Sequence, residues 1–111
     1  MKYDKRESGD ALVFELHGNL RGQPAGYDVL EAVREEIAAG KKKIVIDLGE
    51  VNDSDSTGLG ILASIITSAE NGGAKVGFTN PPASLKKLLD IVRLSTVMKI
   101  FPTADEAAAG I

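Results

Sequence analysis

Apolar residues change their period repeatedly along this chain, and each change marks a new element. Met1 to Glu7 and Ala11-Leu12-Val13-Phe14-Glu15-Leu16-His17 flank a Ser8-Gly9-Asp10 turn, which predicts an opening β-hairpin whose second strand ends at Gly18. Arg21 to Gly26 holds glycine and proline and predicts a loop. Tyr27 to Ala39 then follows helical spacing, with Leu30, Val33 and Ile37 on one face and Gly40 as the stop. In Lys43-Ile44-Val45-Ile46-Asp47-Leu48 the apolar run is continuous and β-branched, as a central strand covered on both faces requires. Gly49 to Asp55 is polar and reads as a loop.

A second helix is predicted from Ser56 to Asn71, stopped by Gly72-Gly73, and a strand over Ala74 to Thr79. Asn80-Pro81-Pro82 opens a third helix over Ala83 to Val92, its apolar face formed by Leu85, Leu88, Leu89 and Val92. Val97 to Phe101 reads as a last strand. Thr103 to Ala109 reads as a terminal helix, with Thr103 and Glu106 at capping-box spacing. A hairpin followed by alternating helix and strand predicts an α/β fold with a mixed sheet. The 111 residues suit one domain over 1–111.

Composition removes several function classes. There is no cysteine, so thiolate metal sites, thiol nucleophiles and disulfides are excluded. Net charge is −3, and the lysine run Lys41-Lys42-Lys43 precedes a strand as a solvated face would, so no nucleic-acid partner is expected. No apolar run reaches membrane-spanning length, and Met1-Lys2-Tyr3-Asp4 lacks the character of a signal peptide. The expected compartment is the cytoplasm, without membrane insertion. Only 5% of residues are aromatic, so the core must be aliphatic.

The chemistry concentrates where the central strand hands over to the second helix, in Asp53-Ser54-Asp55-Ser56-Thr57-Gly58-Leu59-Gly60. Ser and Asp are normal helix caps, so plain capping is one reading. The density of hydroxyls supports another. A helix N-terminus favours a phosphate through its free N–H groups and macrodipole, whereas Asp53 and Asp55 oppose it. A phosphate on Ser56 would add a charge of about −1.5 to −2 and alter a docking surface without refolding the domain. Gly58 and Gly60, each costing about 1 kcal/mol in a helix, suggest that something approaches the helix backbone closely. On a wheel of about 100° per residue, Leu59, Leu62, Ala63, Ile66 and Ala69 form a core stripe. Ile61 and Ile65 fall about 120–160° away. Either the helix is buried all round, or Gly58, Ile61 and Ile65 form an exposed ridge for a partner.

Asp55-Ser56-Thr57-Gly58-Leu59-Gly60 resembles the Asp-Ser-(Ser/Thr/Ala)-Gly-Leu-Gly signature of the sulfate transporter and anti-sigma factor antagonist (STAS) domains. Ile46-Asp47-Leu48 upstream, and Gly72-Gly73, Leu85-Lys86-Lys87-Leu88-Leu89 and Ile100-Phe101 downstream, follow the same order. The resemblance implies a mixed sheet of four to five strands with about four helices packed mainly on one face. It further implies an anti-sigma factor antagonist, a non-enzyme that holds a partner acting as both anti-sigma factor and serine protein kinase. Phosphorylation of Ser56 would break that complex and a phosphatase would restore it. The chain would need no cofactor and no metal of its own. Asp53, Asp55, Ser56, Thr57, Gly58, Ile61 and Ile65 become the candidate partner-binding residues, with Ser54 and Thr57 as second candidates for the phosphate. Arg21 stands where many relatives have Asp. The same resemblance allows a stress-signalling assembly or a transporter complex.

A nucleotide-binding enzyme is the rival from another class, since Gly58-Leu59-Gly60-Ile61-Leu62-Ala63 fits G-x-G-x-x-A. Its glycines lie far from the strand, and Phe78-Thr79-Asn80 lacks the acid that the dinucleotide motif needs. His17, the only histidine, reads as a satisfied structural residue rather than a general base. Asp53 and Asp55 alone make a poor metal site.

Overall fold

The computed structural model describes residues 1–21 and 26–111; most of the loop expected from Arg21 to Gly26 lies outside them. The element order is β1 (Lys2–Ser8), β2 (Ala11–Leu20), α1 (Tyr27–Ala38), β3 (Lys43–Ser54), α2 (Ser56–Asn71), β4 (Lys75–Thr79), α3 (Ala83–Ile91), a 3₁₀ turn (Leu94–Thr96), β5 (Ile100–Phe101) and α4 (Ala104–Gly110). The five strands lie in the order β1-β2-β3-β4-β5. β1 and β2 are the antiparallel hairpin, and every later pairing is parallel.

Chain order explains the layering. From β2 onward each strand is laid beside the previous one in the same direction across the sheet. Right-handed crossovers then put every connecting helix on the same face. The alternation of the strands agrees. Leu12, Phe14 and Leu16 of β2 and Ile44, Ile46 and Leu48 of β3 join Val29, Val33, Leu62, Ile65, Leu85 and Leu89 from α1, α2 and α3 in the main core. The intervening Ala11, Val13 and Val45 face the other way, against Ala104, Ala107, Ala108 and Ile111. α4 leads to no further strand, so the crossover rule does not bind it, and its alanine face lies flat on the second side. Thr103 caps it, its hydroxyl accepting the Glu106 N–H at 3.1 Å.

Three expectations need correction. First, Gly49 to Ser54 is not a loop but the continuation of β3, paired with an extension of β2 through Leu20. Register shifts between Glu15 and His17 and between Gly18 and Asn19 accommodate it, and Gly18 takes a positive φ of 96°. Second, β5 is only two residues long, and Val97, expected within it, is exposed. Third, α3 ends at Ile91, and Val92 is 49% exposed rather than on the buried face. Arg93 turns the chain there with φ 62°.

Candidate functional site

The extension of β2 and β3 creates the site. Asn19 and Leu20 pair with Asp53 and Ser54, and the Asp55 N–H donates to the Leu20 carbonyl at 3.3 Å. The end of β2 therefore lies under the entrance of α2. Asp55 is the N-cap: its Oδ1 accepts the Gly58 N–H at 2.6 Å. Its carbonyl accepts the first intrahelical bond, from Leu59 N–H at 3.1 Å. Asp53 accepts from Arg21 Nη2 at 2.7 Å and from the Ser54 N–H at 2.8 Å. Both aspartates are thus engaged within the chain, one as a cap and one in an exposed ion pair.

The hydroxyls separate by exposure. Ser56 and Thr57, in the first turn of α2, are exposed. Ser54 is 9% exposed, and its Oγ donates to the Asp55 carbonyl at 3.0 Å. Ser54, the second candidate for phosphate, is therefore packed beneath the helix entrance rather than displayed beside Ser56.

Gly58 is also corrected as a contact residue. A Cβ there would lie 2.0 Å from the Leu20 carbonyl oxygen and 2.6 Å from Ser54 Oγ. What approaches the helix so closely is the chain's own β2, not a partner. Gly60 differs, since a Cβ at that position would meet nothing within 4 Å among the described residues.

Of the two readings of α2, the exposed ridge of Ile61 and Ile65, offered as partner-binding residues, does not exist as a surface. Ile61 is 2% exposed and Ile65 fully buried, both in the main core. α1 accounts for this by packing along α2: Gly72 lies against Ile37, and Arg34 Nε donates to Ser68 Oγ at 3.1 Å. Of the stripe that the helical wheel assigns to the core, Leu59, Leu62 and Ala69 are buried, whereas Ala63 and Ile66 are half-buried.

Sequence reasoning missed the surface that does lie beside Ser56. An open apolar groove runs between α2 and the chain that follows α3, lined by Ser56, Leu59, Gly60, Ala63, Val92, Arg93, Leu94 and Val97. Val92 and the 61%-exposed Val97 form its outer wall. The available signal was Ile91-Val92-x-Leu94, a run of apolar residues that cannot all share one helical face. That wall is held by Asp90, whose Oδ1 accepts from Ser95 Oγ at 2.6 Å and from Lys86 Nζ at 2.7 Å. The Lys86 hydrogen bond, then the one from Ser95, hold the Asp90 carboxyl below its ordinary pKa.

His17 lies elsewhere, alternating with the buried Leu16 and so on the sheet face opposite α2. Its Nε2 lies 2.9 Å from Asp4 and 3.5 Å from Glu15. It is satisfied by carboxylates of its own hairpin.

The family model for the STAS domain matches residues 2–107. The chain belongs to the STAS family. A protein of Thermotoga neapolitana, provisionally named an anti-sigma factor antagonist (TM1081 homolog), is 31% identical over 68 residues, covering 61% of this chain and 60% of the relative. The matched stretch thus spans less than two thirds of that relative's length. Among solved structures, an anti-sigma factor antagonist from Mycobacterium paratuberculosis superposes with a TM-score of 0.84 at 19% identity, covering 99% of this chain and 92% of that one. The Bacillus anti-sigma factor antagonist SpoIIAA in its unphosphorylated form gives 0.78 at 19% identity, covering 96% and 92%. These likenesses extend over nearly the whole STAS fold, including the fifth strand and the terminal helix. No helix of the described residues is long and apolar enough to cross a membrane.

Proposed function

We propose that this STAS domain is a phosphorylation-switched anti-sigma factor antagonist acting in the cytoplasm as a single domain. In its unmodified form it docks an anti-sigma factor that is also a serine kinase, and Ser56 is the switch. The observation that carries this reading is the position of Ser56: an exposed hydroxyl in the first turn of α2, on the lip of an apolar groove. A kinase can reach the hydroxyl, and a partner seated in the groove must pass over it. Thr57, exposed in the same turn, remains the second candidate. The names of the relatives support the partner class, and SpoIIAA is known in both unphosphorylated and phosphorylated forms.

Electrostatics give the switch its direction. The kinase would transfer the γ-phosphoryl group of ATP to Ser56 Oγ, breaking the β–γ phosphoanhydride bond and releasing ADP and the hydroxyl proton. The product carries a charge of about −1.5 to −2 at neutral pH. Asp55 already takes the Gly58 N–H and Asp53 stands in the preceding strand end, so part of the helix end's attraction for anions is spent. A partner surface fitted to a neutral hydroxyl then meets a dianion beside an apolar wall. The complex is weakened by desolvation and by charge. Hydrolysis of the ester by a phosphatase restores the hydroxyl.

The test uses purified chain and the candidate anti-sigma kinase with magnesium and ATP. Intact mass should show one phosphoryl group on the wild type and none on Ser56→Ala, which should still bind the kinase. Ser56→Asp should bind about tenfold more weakly, roughly 1.4 kcal/mol. Undiminished phosphorylation of Ser56→Ala would remove Ser56 from this role.

A further inference from the structure

Arg93 is set apart from the chain's other arginines. Arg6 lies 3.9 Å from Glu15, Arg21 2.7 Å from Asp53 and Arg34 3.4 Å from Glu31. Among the described residues Arg93 has no such carboxylate, and it is exposed. Its backbone, by contrast, is held on both sides. Its N–H donates to the Asp90 carbonyl at 3.1 Å, and its own carbonyl accepts from Thr96 Oγ1 at 2.7 Å. The left-handed φ of 62° is sparsely populated for a side-chain-bearing residue, so these bonds fix where the side chain departs. It departs at the groove whose opposite lip is Ser56.

We propose that a phosphate on Ser56 is captured by Arg93 of the same chain, so that modification draws the protein's own guanidinium across the apolar groove. This rests on the reading of Ser56 as the phosphorylated residue. It adds a mechanism of release: the groove is occupied from within as well as guarded by charge.

Guanidinium and phosphate form paired, charge-assisted hydrogen bonds, the strongest class a surface side chain can make. The charged groups around the phosphate favour Arg93 over the alternative. Arg21 stands on the β2 side of the helix entrance but is committed to Asp53, and would have to abandon that carboxylate. Asp53 and Asp55 repel the phosphate, and the β2–β3 end that carries Asp53 is not part of the groove lining. Asp90 does not compete for Arg93, because Lys86 and Ser95 already fill it. The guanidinium would bridge the two walls over Leu59 and Ala63, the apolar surface that a partner would otherwise cover.

The test installs phosphoserine at position 56 during translation, without a kinase, and follows the phosphate by phosphorus NMR through its second ionisation. With Arg93 present, the apparent pKa should be lower than in Arg93→Gln by about half a unit or more, as expected for a cation in contact. Arg21→Gln should leave that difference in place. In the wild-type phosphorylated chain, the Arg93 Nε–H resonance should move as the phosphate loses its proton. Equal titration of wild type and Arg93→Gln would overturn the proposal. So would a stationary Arg93 resonance, which needs no variant to fold. The phosphate is placed during translation, so these results do not depend on whether any kinase modifies Ser56. Loss of the kinase reaction would remove the biological switch and leave this measurement standing.

Discussion

The two sides of α2 are built from similar residues and do opposite work. On the inner side, Gly58, Ile61 and Ile65 are buried, and the glycine exists to let the Leu20 carbonyl in. On the outer side, Ser56, Gly60 and Ala63 line an open groove, and nothing among the described residues fills the space over Gly60. One signature thus contains two glycines with unrelated reasons. The first fastens the helix to the strand end and so fixes the direction in which Ser56 points. The second lowers the groove wall. A short motif can therefore carry both a structural anchor and the wall of an open groove, and only packing tells which residue belongs to which.

The contrast can be broken at its strongest point first. Ile65→Ala empties a fully buried position and should lower unfolding free energy by about 4 kcal/mol, measured by denaturant titration. A loss below about 1 kcal/mol, the level of a surface substitution, would mean that the ridge is exposed after all. The glycines sharpen the comparison further. Gly58→Ala forces a methyl group onto a backbone carbonyl and should cost about 2–3 kcal/mol. Gly60→Ala meets open space and should stabilise the helix by about 1 kcal/mol while altering the groove. Equal effects of one sign would erase the distinction.

The smallest effect concerns the groove wall. Lys86 and Ser95 depress the folded-state pKa of Asp90, so its contribution is full above the ordinary carboxylate pKa. It is lost as the pH falls through the lowered folded value. Acidification through that range should shift the amide resonances of Ser95 and Val97, and Asp90→Asn should abolish that pH dependence.

The elements are mostly legible in the chain because apolar period, glycine stops and caps agree in α1, α2, β4 and α4. Two features escape it for identifiable physical reasons. The continuation of β3 is hidden because Leu48, Val51 and Ser54 point inward at a spacing of three, which a bulged strand produces and simple alternation does not. The polar Glu50, Asn52 and Asp53 between them imitate a loop. The burial of Ile61 and Ile65 escapes a wheel anchored on Leu59, which does place Leu59, Leu62 and Ala69 in the core, because the second surface that buries the helix comes from α1. Helical periodicity reports that a face is apolar; it does not report how many neighbours cover it. The groove is illegible because half its lining comes from an irregular turn after α3. The placement of Ser56 in the first turn of α2 is legible because it is local: a hydroxyl beside a capping acid at a helix start.

The borders of the sheet constrain how another protein can meet this one. The outermost strand at one border reads Lys-Tyr-Asp-Lys-Arg-Glu-Ser, and at the other the final strand offers two residues. Charge at the first and brevity at the second discourage any visitor from joining as an extra ribbon. Growth of the sheet by templated addition is thereby blocked. The proposed partner would instead have to meet side chains of the helical layer, which is where the proposed switch at Ser56 lies.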